Sequence, residues 1–201
     1  MFSFKNDINL NDEKIYLAKK FSEVCDIILF GLSIGFPIIL EGENGQGKQI
    51  AILYMTEKLG LDITKKVISK STKVEELLLT TNIDKSNIGE ILVKNEEIDL
   101  LKSIKSEEEH PKNLILFQGI NNASPSILDL LNSIFIPDAN ILFPDDSTYG
   151  RKQMNIIGIF NTGREYINKD KIPSGILFNC IYHIVDNPSN EDLSNIIKYL
   201  F

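Results

Sequence analysis

Apolar positions follow two rhythms along the chain, a helical one and short uninterrupted runs. Within residues 12–33, Ile15, Phe21, Val24, Ile28 and Leu32 fall close to one helical face, which predicts an amphipathic N-terminal helix. Asn11 is placed to cap it, and Gly31, Gly35 and Pro37 close it. Ile38, Ile39 and Leu40 form a short apolar run, the mark of a strand buried on both faces. Residues 42–47 then hold three glycines, and Ile50, Ala51, Tyr54, Met55 and Leu59 predict a second helix with Gly60 as its C-cap. Val67, Ile68 and Ser69 read as the next strand, with a short helix over 74–79.

Residues 82–112 are more polar. A strand is expected at 90–93, a short helix at 98–104 and an exposed loop at 106–112. Residues 114–117 are again a buried strand. Ser124 and Pro125 open a helix whose apolar face carries Ile127, Leu128, Leu131 and Ile134. Strands at 155–160 and 181–185 and a terminal helix at 190–200 complete the pattern. Strands alternating with helices in single file imply an α/β fold with a mainly parallel sheet.

The composition narrows the function classes. With 201 residues and 43% apolar content, the chain suits one large domain or two small ones with a real core. No internal repeat or linker divides it, so residues 1–201 are read as a single domain. The net charge of −7 disfavours a bulk electrostatic grip on nucleic acid or an anionic membrane. No apolar run is long enough for a membrane span, and the N-terminus is too polar for a secretory signal. Cys25 and Cys180 form no disulfide framework and suit a reducing compartment, intracellular and either cytoplasmic or nuclear. With only His110 and His183, a zinc cluster is not expected.

The chemistry concentrates in Gly42, Glu43, Asn44, Gly45, Gln46, Gly47, Lys48 and Gln49. These residues follow G-x-x-x-x-G-K-[ST] through the lysine and depart from it at Gln49. A buried strand precedes the segment and an amphipathic helix follows it. In that context glycines let the backbone wrap a phosphate, helix N-terminal amides face it, and Lys48 reaches the β- and γ-phosphates. Gln49 replaces the compact hydroxyl that ordinarily holds magnesium, so magnesium affinity should fall.

A hydrolase of this kind also needs acids at the end of a neighbouring strand. The strand at 113–117 instead runs into Gln118, Gly119, Ile120, Asn121, Asn122, Ala123, Ser124 and Pro125. With Leu131, Asn132 and Ser133 downstream, this segment resembles the Walker B region of the midasin and dynein-related branch of AAA+ ATPases. Pro37–Gly42, 68–78, 158–164, 172–180 and 187–189 resemble further segments of that family in the same order. The resemblance spans roughly residues 12–199.

The resemblance implies an α/β phosphate-loop (AAA+) three-layer sandwich with a five-stranded core. Residues 36–60 would be its phosphate-loop unit, and 189–200 a terminal helix or the start of a helical lid otherwise missing from the chain. It places Gln118 at the metal-binding acid, Gly119 at the catalytic acid, Asn161 at the polar sensor and Asn179 at the arginine finger. Magnesium is thus left without an assigned ligand, since Gln49 and Gln118 occupy the expected positions. General-base assistance is worth about 10²–10⁴ in rate, and an arginine finger about 10³–10⁵.

An ATP-binding module with weak or no hydrolysis follows, a structural or regulatory unit beside other AAA+ modules. The alternatives are an ATPase completed by a neighbouring subunit or by Glu43, and a scaffold that binds no nucleotide. Glu41 reads as structural. Arg151, Arg164, His183, Cys180 and the Pro144–Asp146 turn have plainer explanations as surface, strand, core and turn residues.

Overall fold

The structure is a computed structural model. It describes residues 7–10, 13–16, 19–84, 92–97, 112–136, 140–142, 148–150, 154–162 and 172–200. Its centre is a five-stranded parallel sheet. The strands are β3 (Ile38–Glu43), β4 (Asp62–Val67), β7 (Asn113–Gln118), β10 (Asn155–Thr162) and β11 (Ile181–Ile184), in the spatial order β11-β3-β10-β7-β4. Among the described residues, three antiparallel pairs lie outside that sheet: β1 (Asp7–Leu10) with β2 (Glu13–Tyr16), β5 (Leu79–Asp84) with β6 (Leu92–Glu97), and β8 (Asn140–Leu142) with β9 (Thr148–Gly150).

Among the described residues the helices are α1 (Lys19–Ser33), α2 (Lys48–Leu59), α3 (Val74–Leu78), α4 (Pro125–Phe135), α5 (Ser174–Phe178) and α6 (Asn190–Leu200). Each central strand turns alternate residues to opposite faces. Leu114 and Leu116 of β7 join Ile38, Leu40, Ile157 and Ile159 against α1 and α2. Ile115 and Phe117 join Ile39 and Ile156 against α4 and α5. Both faces are covered, which explains the continuous apolar runs of β3, β7 and β10. Gly158 lets the sheet approach the turn after β7, because a β-carbon there would collide with Ile120 Cδ1.

Two expected elements are revised. The N-terminal helix begins at Lys19 rather than residue 12, and Glu13–Tyr16 form a strand paired in register with Asp7–Leu10. Ile15 fits either period, and pairing with an adjacent strand resolves the ambiguity. The strand expected at 67–69 instead runs over Asp62–Val67, with buried Ile68 just beyond it. Among the described residues β4 is an edge strand with one neighbour, β7. Lysines are therefore tolerated on it, and they hide its alternation.

The other expected strands and helices of the sandwich form with ends shifted by up to three residues, β3 running on to Glu43, and the short helix α5 was not expected from the pattern. The strand expected at 90–93 instead runs over Leu92–Glu97. Asn11, Arg151, Arg164, Pro144–Asp146, the helix at 98–104 and all but Lys112 of the 106–112 loop lie outside the described residues.

Candidate functional site

The parallel register brings the carboxyl ends of three strands together. Asn161 pairs with Gly42 and Thr162 with Glu43, while Ile159 pairs with Gln118. Gln118 lies two residues beyond Leu116 on β7, and Asn161 two beyond Ile159 on β10. Both therefore fall on the sheet face that carries α1 and α2. Loop, Walker-B-like strand end and sensor-like asparagine thus share one end and one face of the sheet.

The loop after β3 has the backbone that its glycines were expected to supply. Gly45 and Gly47 adopt left-handed conformations, with φ of 87° and 83°. Gly42 is needed for close approach, because a β-carbon on it would lie 2.7 Å from the carbonyl oxygen of Val185. Helix α2 starts at Lys48 from Gly47, which caps it without any side-chain hydrogen bond. The first helix amides are then available to an anion, where the helix end carries partial positive charge.

Lys48 is buried, and its ammonium donates to the carbonyl oxygens of Gly42 at 2.8 Å and Glu43 at 2.6 Å. An ammonium has three donors, so this anchoring leaves one for a ligand. Burial pulls the Lys48 pKa below the ordinary lysine value, and the Glu43 carboxylate opposes that shift. The arrangement is chemically competent to hold an oxyanion through a fixed cation and oriented amides. Gln49 follows Lys48 in the first turn of α2 and is partly buried.

The end of β7 is shaped differently. Gln118 still belongs to the ladder, its carbonyl accepting from Ile68 N–H at 2.8 Å. Gly119 donates to the Ile159 carbonyl at 3.2 Å and then turns with φ of 81°. A β-carbon at Gly119 would sit 2.9 Å from the carbonyl oxygen of Ile68 and 3.2 Å from Asn122 Nδ2. Backbone strain and steric closure therefore both favour glycine here.

Asn121, in the 3-10 turn Ile120–Asn122, is buried, and its Oδ1 accepts from the backbone N–H of Asn161 at 3.3 Å. That bond ties the tip of β10 to the turn after β7. Asn179 spends its Nδ2 on the Gly175 carbonyl at 2.7 Å, capping the last turn of α5. His183 is partly buried on the edge strand β11. Cys180 donates to the Leu177 carbonyl at 3.6 Å, and burial pushes its thiol up to about 11. Glu41 is partly desolvated, which raises its carboxyl above the usual range.

One group drawn into the site carried little sequence signal. Asn187 lies beyond β11 yet reaches the loop: Gln46 Nε2 donates to its Oδ1 at 3.0 Å, and its Nδ2 donates to Glu43 Oε2 at 3.4 Å. In the sequence this stretch was marked by Pro188 and by the resemblance of 187–189 to a family segment, neither of which pointed to the loop.

The sheet order, the glycine loop on β3 and the lysine opening α2 define an α/β phosphate-loop protein of the AAA type. The family profile of the AAA domain (dynein-related subfamily) matches residues 37–176, well over half of the chain, and the chain belongs to that family. A solved protein of Cytophaga hutchinsonii, described as a candidate ATPase, superposes with a TM-score of 0.61 at 16% identity. That match covers 90% of this chain and 55% of the other, so the chain spans about half the length of that neighbour. At this identity the likeness speaks for the fold. No curated protein matches the chain. Among the described residues, no helix is long and apolar enough to cross a membrane.

Proposed function

We propose that this AAA domain binds ATP through residues 42–49 and hydrolyses it weakly or not at all. It would act as a nucleotide-held structural or regulatory unit beside other AAA modules. The carrying observation is Gly119: the place the family resemblance gives to the catalytic acid is a left-handed glycine whose β-carbon position is closed by the Ile68 carbonyl. A carboxylate there would need the backbone to move.

The loop fits phosphate, through anchored Lys48, left-handed Gly45 and Gly47 and a helix start capped by glycine without a side-chain hydrogen bond. Gln49 and Gln118 offer neutral amides where a magnesium ion would meet a hydroxyl and a carboxylate. The local residues fit a phosphate better than they fit a tightly held divalent ion. ATP as the nucleotide rests on the family, and an intracellular setting on two free cysteines.

A second reading keeps hydrolysis through Glu43, and its favouring observation is the proximity that opposes the Lys48 shift. Against it, the Glu43 carboxylate is engaged by Asn187.

Titration of the full chain with ATP and ADP, with and without Mg²⁺, separates the readings. The proposal expects binding that survives chelation, negligible turnover, and loss of binding in Lys48→Ala. Turnover well above background that disappears in Glu43→Ala supports the second reading. Absence of binding at millimolar nucleotide leaves a protein-interaction scaffold.

A further inference from the structure

We propose that Asn187 is a positioning residue for the phosphate loop, acting through Glu43 and Gln46. The inference rests on the reading that this loop takes nucleotide phosphates. A single carboxamide serves both flanks of the loop tip, with Oδ1 on Gln46 and Nδ2 on Glu43. Asn44 and Gly45 lie between the two tethered residues, where backbone amides would line a phosphate cradle. Glycine-rich chain loses the most conformational freedom on ordering, so tethers at residues 43 and 46 remove much of that cost before a ligand arrives.

Asn187 is itself held in place. Val185 N–H donates to the Glu41 carbonyl at 2.7 Å, extending the β11–β3 ladder up to the loop. Asp186 pairs with Lys20 at 3.3 Å. Pro188 restricts the backbone of Asn187 toward extended conformations. Ser189 and Asp192 then form a reciprocal cap: Asp192 N–H donates to Ser189 Oγ at 3.0 Å, and Ser189 N–H donates to Asp192 Oδ2 at 3.1 Å. The start of α6 is thereby fixed. The brace is thus a firm post carrying one amide, and its two bonds go to loop side chains at an exposed site rather than to the core.

That placement separates bracing from general stability. In the full chain, Asn187→Ala is expected to keep the melting temperature within about 2 °C. Amide exchange over residues 43–47 should rise about 10-fold in the ligand-free protein. The Kd for ADP should rise about 10-fold. Asn187→Asp keeps an acceptor for Gln46 but sets a carboxylate against Glu43, and it should weaken ADP at least as much. Combining Asn187→Asp with Glu43→Gln gives the introduced carboxylate an amide donor in place of a like charge. That double variant should return affinity to within about 3-fold of the parent.

Unchanged loop exchange in ligand-free Asn187→Ala overturns the brace, whatever nucleotide does. Failure of Glu43→Gln to rescue Asn187→Asp overturns the two-sided role. If the parent chain binds no ADP, the nucleotide reading fails, and the exchange measurement still decides whether Asn187 orders the loop.

Discussion

Gly119 sits against Ile68 so closely that a β-carbon on the glycine would come within 2.9 Å of the Ile68 carbonyl oxygen. That oxygen belongs to the backbone beyond an edge strand and cannot rotate away as a side chain would. With φ of 81°, any L-residue at 119 also incurs left-handed strain of about 1–2 kcal/mol. Gly119→Ala should lower stability by about 2–3 kcal/mol in urea denaturation. The pair Gln118→Asp with Gly119→Glu should fail to yield turnover although it restores both acids by type. Steady-state hydrolysis by that double variant would overturn the reading of a closed position.

Asn121 is the strap between the turn after β7 and the tip of β10. Its Oδ1 is the acceptor for Asn161 N–H. Asn121→Ala leaves that donor without this partner in a partly buried place, at a cost of about 1–3 kcal/mol. Amide exchange at Asn161 should accelerate beyond the global change. Unaltered exchange there would show that the strap does not hold the strand end.

Gly158 and Ile120 should be energetically coupled. A β-carbon at 158 would collide with Ile120 Cδ1 and lie 3.4 Å from Ile39 Cγ1. Gly158→Ala is expected to cost about 1–3 kcal/mol through overpacking. Ile120→Val removes the methyl in the way and by itself costs about 0.5–1.5 kcal/mol. Denaturation of the double variant should show less destabilisation than the two single losses added, and strict additivity would count against the contact.

Cys25 sets an alkaline limit. Burial first, and the Asp26 carboxylate second, push its thiol from 9.0 up to about 12. Between those values the folded state retains a proton that the unfolded state has lost. Stability therefore falls as pH rises through that window, by at most about 1.4 kcal/mol per pH unit for one proton. Cys25→Ala should flatten this part of the stability profile, read from denaturation at about pH 8 and about pH 10. In the folded parent, Cys25 should resist thiol reagents at about pH 8.

Much of the architecture was legible because its causes are local. Three apolar residues before a glycine loop, Gly60 after the second helix and Pro125 at the head of α4 act over a few residues, and each element forms where they point. Lys48 was legible for the same reason, since its place follows from the loop and helix around it. The start of α1 was not, because Ile15 suits either period until β1 is there to pair with it. Nor was β4, whose lysines read as polar chain until β7 lies beside them.

Sequence alone therefore determined the α/β class, the glycine loop with its lysine, and the identity of the residues standing at Gln118 and Gly119. Tertiary structure alone decided that β10 enters between β3 and β7, which places Asn161 between the two strand ends. It also decided that Ile68 closes the space at Gly119, and that Asn187 reaches Glu43 and Gln46 across 144 and 141 residues of chain. The division has one physical reason. Dihedral preferences and amphipathic period are written in neighbouring residues, whereas sheet order and close approach depend on which distant segments the buried core brings together.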